Sequence, residues 1–331
     1  MNETTSQSRR KSAWHHSPTT PIPVSPILEW PPRPLEWLKW ISGYWLAISS
    51  ITVLFVLAWL VYAFFQPDTE VMKQLSAGWV AQIWLRNVAL LTLVAGSLHC
   101  WFYIVAGQGE KLKFDHRKLA KGSRIHTFRN QTLDNIFWSI ASGVSFWTFY
   151  EAMYFWAAAN EVIPTIGLLG NPTWFVVWML LIPVWSSFHF YWIHRLLHWP
   201  PLYKIAHSVH HRNICVGPWS GISMHPVEHV IYFTSILIHF VVPSHPVHVL
   251  FHCYIQGLHP AFSHSGYEAV LVRDKKRVNS GDFFHQLHHR YFECNYGTSE
   301  MPWDKLFGSF HDGSEASTKS TRKRQRKMYA K

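Results

Sequence analysis

The chain has 331 residues and a formal net charge of +11, with 48% hydrophobic and 16% aromatic residues. The uncharged run from Trp40 to Pro67 is longer than the roughly 20 apolar residues that span a bilayer, which excludes a purely soluble fold. The positive charge lies mainly in loops and tails, which argues against nucleic-acid binding.

The first 34 residues are rich in Ser, Thr, Pro and basic residues, and we expect segment 1–34 to be disordered. We expect no cleavable signal peptide, because the first long apolar run starts near Trp40 and exceeds the length of a signal sequence. Residues 35–135 are predicted to form a membrane anchor with a basic loop. Its two spans are predicted at Ile41–Phe65 and Asn87–Val105.

Loop 107–134 carries many more basic than acidic residues. The positive-inside rule therefore predicts that this loop and the N-terminus face the cytosol. The third predicted span, Ile136–Ala159, crosses from the cytosolic side to the far side of the membrane. The fourth, Trp174–Ile193, returns to the cytosolic side. Glu151 lies inside the third span, where a carboxylate is costly. A functional role and a structural role explain it equally well, and the structural role would be a helix–helix hydrogen bond or a neutral carboxyl near the interface.

Three groups of histidines with repeated spacing follow the fourth span. These histidine boxes are His194-Arg-Leu-Leu-His198, His207-Ser-Val-His210-His211 and His285-Gln-Leu-His288-His289. Residues three and four apart share one face of a helix, so each box is predicted to direct its imidazoles at one point. Eight imidazoles are too many for one ion, so the pattern predicts two metal ions.

A structural zinc site and a low-complexity histidine tract are the simpler explanations for the boxes. A structural zinc ion normally has four ligands and favours Cys, but none of the four cysteines lies in a box. Low-complexity tracts do not contain spaced boxes separated by aromatic-rich sequence. The pattern favours a redox-active pair of irons.

Two apolar stretches, 231–242 and 247–258, lie between the second and third boxes and flank two prolines. Each is short for an independent span, so we expect a re-entrant or tilted hairpin that returns to the cytosolic side. His264 is the preferred candidate for an additional metal ligand, and His259 is a second candidate. The histidines within the hairpin are expected to be structural: His239, His245, His248 and His252.

The C-terminal residues 313–331 are basic, and we expect a disordered tail that suits the anionic cytosolic leaflet. The four cysteines have no paired spacing, so no disulfide framework is predicted. The predicted fold is an all-α polytopic membrane protein with about four transmembrane helices, a re-entrant hairpin and a helical cap that carries the boxes.

The order H-x3-H, H-x2-H-H and a downstream H-x2-H-H resembles the fatty acid hydroxylase/sterol desaturase superfamily of membrane non-haem di-iron enzymes. The closing N-Y-G…W-D-K-L-F-G run is similar to the segment after the last box in that superfamily. The resemblance covers about residues 136–312, which we expect to be the catalytic domain. It implies these metal ligands: His194, His198, His207, His210, His211, His285, His288 and His289, with His264 and less directly His259 as additional ligands.

The resemblance also implies an activity. Members activate O2 at two irons and hydroxylate or desaturate a C–H bond of a lipid, and zinc can replace iron in purified protein. Cytochrome b5 or a similar carrier with its reductase usually supplies the electrons, and no His-Pro-Gly-Gly haem motif is present, so a separate donor is expected. The expected location is the endoplasmic reticulum membrane, with the site facing the cytosol. Sterols, fatty acyl chains, sphingoid bases and alkyl ethers are all open as substrates.

No residue stands out as a catalytic acid or base. Carboxylates usually orient metal-bound histidines, and the candidates for that role are Glu228, Glu268, Asp282 and Glu293. The main alternative function is a histidine-rich metal transporter, whose sites would lie near the bilayer midplane.

Overall fold

Helices dominate the residues described by the computed structural model, which are 14–43 and 49–329. The first six helices are α1 Pro34–Ile41, α2 Ser50–Phe64, α3 Thr69–Met72, α4 Ala77–His99, α5 Gln131–Trp138 and α6 Ser145–Ala159. The next six are α7 Pro172–Leu197, α8 Pro200–Leu202, α9 Ser208–His211, α10 Pro226–Tyr232, α11 Pro246–Gly257 and α12 His259–Ser263. The last three are α13 Phe283–Tyr291, α14 Trp303–Leu306 and α15 Glu315–Tyr329. The prediction of a mostly helical chain is confirmed.

Shorter elements complete these helices. π-Helical turns are Cys100–Ile104 after α4, Ser139–Val144 between α5 and α6, and Tyr203–His207 before α9. 3-10 turns are Pro218–Ser220 and Phe233–Phe240. One antiparallel hairpin, β1 Ala269–Val272 with β2 Lys275–Asn279, departs from the all-α prediction. Arg273 and Asp274 have positive φ angles of 51° and 59°, as a two-residue type I′ turn requires.

Two of the described helices are long and apolar enough to cross a membrane: α4 with its π-helical extension, and α7. Helix α7 begins where the side chain of Asn171 accepts a hydrogen bond from the amide of Trp174, with Pro172 at the first helical position. It ends just before Pro200 and Pro201, and its last turns carry the first histidine box. Helix α2 is apolar but shorter, and the residues before it, 44–48, lie outside the described part of the first predicted span.

The second predicted span begins ten residues earlier than expected, because α4 starts at Ala77 and includes Arg86. The Arg86 guanidinium pairs with the buried carboxylate of Glu151 on α6. The side-chain amide of Asn87 donates to the same carboxylate at 3.0 Å. The pair neutralises both charges inside the bundle, so a charged residue does not end the apolar helix. Of the two explanations for Glu151, these contacts support the structural one.

The predicted hairpin contains two helical arms, the 3-10 helix Phe233–Phe240 and α11. At its tip, the amide of Ile166 donates to the carbonyl of Ser244 at 3.3 Å, so the hairpin reaches the turn between α6 and α7. His239 and His252 are hydrogen-bonded to each other at 3.0 Å. His248 Nε2 lies 2.9 Å from the carbonyl oxygen of Phe175. These histidines form contacts within the bundle.

Both predicted disordered tails contain ordered parts. Residues 1–13 lie outside the described residues, but the ring of Trp14 packs 5.0 Å from that of Phe283. The amide of Ile22 donates to the carbonyl of Asp312 at 2.9 Å. Helix α15 occupies most of the C-terminal tail. Composition predicted disorder because it does not register the few apolar contacts and backbone hydrogen bonds that hold these segments on the cap.

Candidate metal centre

Nine histidines converge in two buried clusters inside the helical cap. The first cluster contains His194, His198, His207, His211 and His288. The second contains His210, His264, His285 and His289. Within each cluster, one ring nitrogen from every residue lies within 4.8 Å of the others. The clusters adjoin, since the ring centroids of His211 and His289 are 5.0 Å apart.

The second and third boxes each divide between the two clusters, whereas we expected each box to aim at one point. On a helix, residues four apart are separated by about 40° around the axis, so such pairs share a face. His285 and His289 are such a pair and belong to the second cluster, while His288 turns to the first. In the second box the reverse holds, because His207 and His211 join the first cluster and His210 joins the second. Each cluster therefore combines histidines from the second and the third box.

In several rings a backbone carbonyl fixes the outward nitrogen, which is the Nδ1 atom that faces away from the cluster. Nδ1 of His194 lies 2.7 Å from the carbonyl oxygen of Tyr296, and Nδ1 of His288 lies 2.7 Å from that of Cys294. Nδ1 of His264 lies 2.9 Å from the carbonyl oxygen of Pro260. A carbonyl only accepts, so in the neutral rings we assign the proton to Nδ1 and a free lone pair to Nε2.

Carboxylates hold two further rings. Glu228 Oε1 lies 2.7 Å from Nδ1 of His207, and Glu293 Oε1 lies 3.4 Å from Nδ1 of His198. The hydroxyl of Tyr296 donates to the second oxygen of Glu293 at 2.6 Å. Two of the four candidate carboxylates therefore contact ring nitrogens of the first cluster.

The other two candidates have different partners. The side chain of Asp282 caps α13 by accepting from the amide of Phe284 at 2.9 Å. Glu268 forms an ion pair with Lys276, and its second oxygen lies 2.6 Å from Nε2 of His16. Neither of these two carboxylates orients a clustered histidine.

The inward nitrogens point at one another. Nε2 of His211 lies 3.1 Å from Nε2 of His198 and 3.0 Å from Nε2 of His288. In the second cluster, Nε2 of His264 lies 3.1 Å from those of His285 and His289. Lone pairs that converge in this way repel unless a cation lies among them. The donor sets consist of imidazole nitrogens, which suit iron, zinc, copper and nickel, so both clusters fit a transition metal.

Burial keeps most of the clustered imidazoles neutral, which is the form that binds metal. Burial and the neighbouring histidines lower the pKa of His207, His210 and His211 well below 6.5. The same two causes act on His285, His288 and His289. Burial lowers the pKa of His264 to about 4. Loss of protons therefore costs little when a metal binds at neutral pH.

His259 is the one predicted ligand that neither cluster includes among the described residues. It begins α12 and lines the cavity described below. The other nine predicted ligands are those brought together, and their binding of metal stays a prediction.

Phe292 lies three residues after the last histidine of the third box, and no sequence pattern marks it as a site residue. Its φ of 63° and ψ of −58° form a tight turn, in which the amide of Glu293 donates to the carbonyl of Tyr291 at 2.8 Å. This conformation is rare and strained for a bulky residue. It places the Phe292 ring 4.9 Å from the ring of His211 and directs Glu293 towards His198. Strain of this kind is typical of functional sites.

An apolar cavity of about 530 Å³ opens onto both clusters. Its lining includes His194 and His207 of the first cluster and His210, His264 and His285 of the second. Apolar side chains supply much of the remaining wall, among them Phe190, Leu197, Met224, Ile255 and Phe284. This volume and lining are typical of pockets that enclose a small apolar molecule.

The chain is similar to known lipid-modifying proteins. The fatty acid hydroxylase family matches residues 178–309, which include all three boxes. The Delta(7)-sterol 5(6)-desaturase of Gibberella zeae is 34% identical over 142 residues, which is 41% of this chain and 42% of the relative. That of Candida albicans is 31% identical over 125 residues, or 36% of this chain and 30% of the relative. That of Saccharomyces cerevisiae is 31% identical over 126 residues, which is 36% of this chain and 32% of the relative.

The chain therefore matches less than half the length of these curated relatives. No solved structure matches it. With the apolar helices α4 and α7, the relatives indicate a membrane protein. The matches support the resemblance that the histidine boxes indicated: residues 178–309 match the fatty acid hydroxylase family, and the similar relatives are sterol desaturases.

Proposed function

We propose that this protein is a membrane-bound di-iron oxygenase that hydroxylates or desaturates a C–H bond of a lipid, using O2 and electrons from a separate donor. The observation that carries the proposal is one apolar cavity that opens onto two clusters of converging imidazole nitrogens. Among lipids, the sterol 5(6)-desaturases that it resembles favour a sterol substrate.

The proposed ligands are the nine clustered histidines, which would hold one iron in each cluster. Bound irons would activate O2 and so supply the oxidising power that cleavage of an unactivated C–H bond requires. Zinc would fit the same imidazoles and is the expected contaminant in purified protein.

The protein's own residues supply position and environment. Glu228 and Glu293 keep His207 and His198 in fixed orientations. The apolar walls of the cavity exclude water and hold a lipid beside the clusters. His259 lines the cavity rather than joining a cluster, so contact with the substrate is a better role for it than metal binding.

The proposed membrane arrangement keeps about four spans and the re-entrant hairpin, with residues 35–135 as the anchor and 136–312 as the catalytic domain. The basic loop 107–134 supports a cytosolic orientation of the cap. We further propose the endoplasmic reticulum as the location and cytochrome b5 or a similar carrier, with its reductase, as the donor.

Metal transport is not favoured. The matched family and the relatives modify lipids, and the clustered histidines are buried and are held by backbone carbonyls and carboxylates. A transport site must release its ion.

The test is purified full-length protein in lipid nanodiscs, loaded with iron and supplied with cytochrome b5, its reductase, NADH and a Delta(7)-sterol. We expect a product that is oxidised by two electrons or that carries one added oxygen, together with uptake of O2. A panel of fatty acyl and sphingoid lipids forms the second arm. Absence of any oxidised lipid from iron-loaded protein would contradict the proposal.

A further inference from the structure

Helix α15 presents a row of exposed basic side chains: Lys319, Arg322, Lys323, Arg326 and Lys327. Within 315–327, where side chains are described, no large apolar residue is exposed. Lys319 pairs with Glu315 at 2.9 Å, but both side chains are about three-quarters exposed, so this pair leaves the surface strongly positive. A helix that lies in a bilayer surface buries an apolar face. The exposed face of α15 therefore suits an acidic protein better than a membrane.

The inner face of α15 is fixed to the end of the third histidine box. The side-chain amide of Gln325 donates to the carbonyl of Tyr291. Nη2 of Arg324 donates to the carbonyl of Glu293 at 3.4 Å. These two bonds flank Phe292, the strained residue between them. The basic helix is thus attached to the turn that contacts the first cluster.

Half-buried aromatic rings connect this surface with the first cluster. The ring of Phe292 lies 4.9 Å from that of His211, and the ring of Tyr203 lies 6.5 Å from that of Phe292. Tyr203 also lies 5.7 Å from the ring of His198. Because both aromatic residues are partly exposed, only one layer of side chains separates solvent from the clustered imidazoles.

We propose that the exposed cations of α15 form a docking surface for an acidic one-electron carrier protein, and that electrons pass from the docked carrier through the adjacent ring of Phe292 to the first cluster. The proposal rests on the proposed function. Each carrier molecule loses one electron, and two electrons with two protons are consumed per O2. In hydroxylation one oxygen atom enters the lipid and the other leaves as water. In desaturation two hydrogens leave the lipid and both oxygen atoms leave as water.

The test compares two triple charge reversals in the full chain. The first is Lys323→Glu/Arg326→Glu/Lys327→Glu on the proposed surface. The matched control, Arg273→Glu/Lys275→Glu/Arg277→Glu, reverses three exposed cations on the β1–β2 hairpin. Binding of the acidic haem domain of cytochrome b5 is measured in nanodiscs at several salt concentrations. We expect the first variant to raise the Kd about tenfold and to lose most of the salt dependence, and the control to bind like the parent chain.

A third variant, Phe292→Leu, separates docking from electron transfer. It should bind the haem domain with the parent Kd but reoxidise the reduced haem several-fold more slowly. Unchanged binding by the α15 variant, or equal loss in both charge variants, would overturn the docking surface. Loss of binding to phosphatidylserine vesicles without loss of carrier binding would assign the surface to the membrane instead.

Dithionite-driven turnover distinguishes this proposal from the proposed function. The α15 variant should retain it, because a chemical reductant needs no docking surface. If the parent chain itself oxidises no lipid with dithionite, the proposed function fails, whereas the Kd comparison still decides the docking surface.

Discussion

Single hydrogen bonds to the outward nitrogens decide how the clustered histidines present their inward nitrogens. The contact of Glu228 with Nδ1 of His207 is buried on both sides, and Nε2 of His207 has no partner among the described residues. Such carboxylates fix the orientation of the ring and raise its basicity as a ligand. Glu228 therefore acts as a positioning residue for the first cluster.

Replacement of Glu228 tests this role. Glu228→Leu should lower the metal affinity of the first cluster about 10–100-fold, because the ring of His207 loses its fixed orientation. Glu228→Gln retains an acceptor at the same place and should restore much of the affinity. The measurement is competition with a graded chelator series. Glu110→Gln, at an exposed carboxylate of the basic loop, is the control and should match the parent chain. Equal affinity in Glu228→Leu would contradict the positioning role.

At the scale of elements, the sequence predicted which box histidines converge but not the helix boundaries that depend on tertiary partners. The spacing of His194, His207 and His285 with their neighbours is local, so helix periodicity captured it. The partner of Arg86 lies 65 residues away, on α6. No local pattern shows that partner, and the start of α4 was therefore placed at the first residue after the charge.

The strained turn at Phe292 and the ordered tails were missed for a related reason. A residue with positive φ carries no compositional mark unless it is Gly or Asn. Helix α15 has few apolar residues, and it is held by polar side chains such as Arg324 and Gln325 that bond to backbone carbonyls. Methods based on hydrophobic pattern cannot detect such contacts.

The ion pair between α4 and α6 leads to a prediction about stability. Arg86→Leu leaves the buried carboxylate of Glu151 uncompensated and should destabilise the fold by about 3–5 kcal/mol. The double variant Arg86→Leu/Glu151→Leu removes both charges and should recover most of that loss. Unfolding by denaturant in detergent micelles measures both. A double variant no more stable than the single one would show that the two side chains act independently.

At the scale of the whole molecule, the cap buries many neutral histidines, and this makes the metal-free fold sensitive to acid. Burial lowers the pKa of both His264 and His311 from 6.5 to about 4. Between these values the unfolded chain binds more protons than the folded chain, so stability falls as the pH falls. Above about pH 7.5 these histidines are neutral in both states, and this contribution is constant.

We therefore predict that the metal-free protein loses stability as the pH is lowered from about 7.5 to 4 and changes little above about pH 7.5. His264 alone accounts for about 3 kcal/mol of the loss. Denaturant midpoints across this range provide the measurement. His264→Gln should show a shallower slope between pH 6.5 and 4. A flat profile in the parent chain would contradict the assignment of neutral buried histidines.

The central claim is that two clusters of histidines bind one metal ion each, and metal content measures it most directly. Iron-loaded parent protein, after removal of loosely bound metal, should contain two ions per chain. His211→Ala in the first cluster and His289→Ala in the second should each lose at least one ion and all lipid oxidation. His248→Ala, whose ring contacts the carbonyl of Phe175 in the bundle, should retain both ions. Two ions in either cluster variant, at matched expression and folding, would contradict the account.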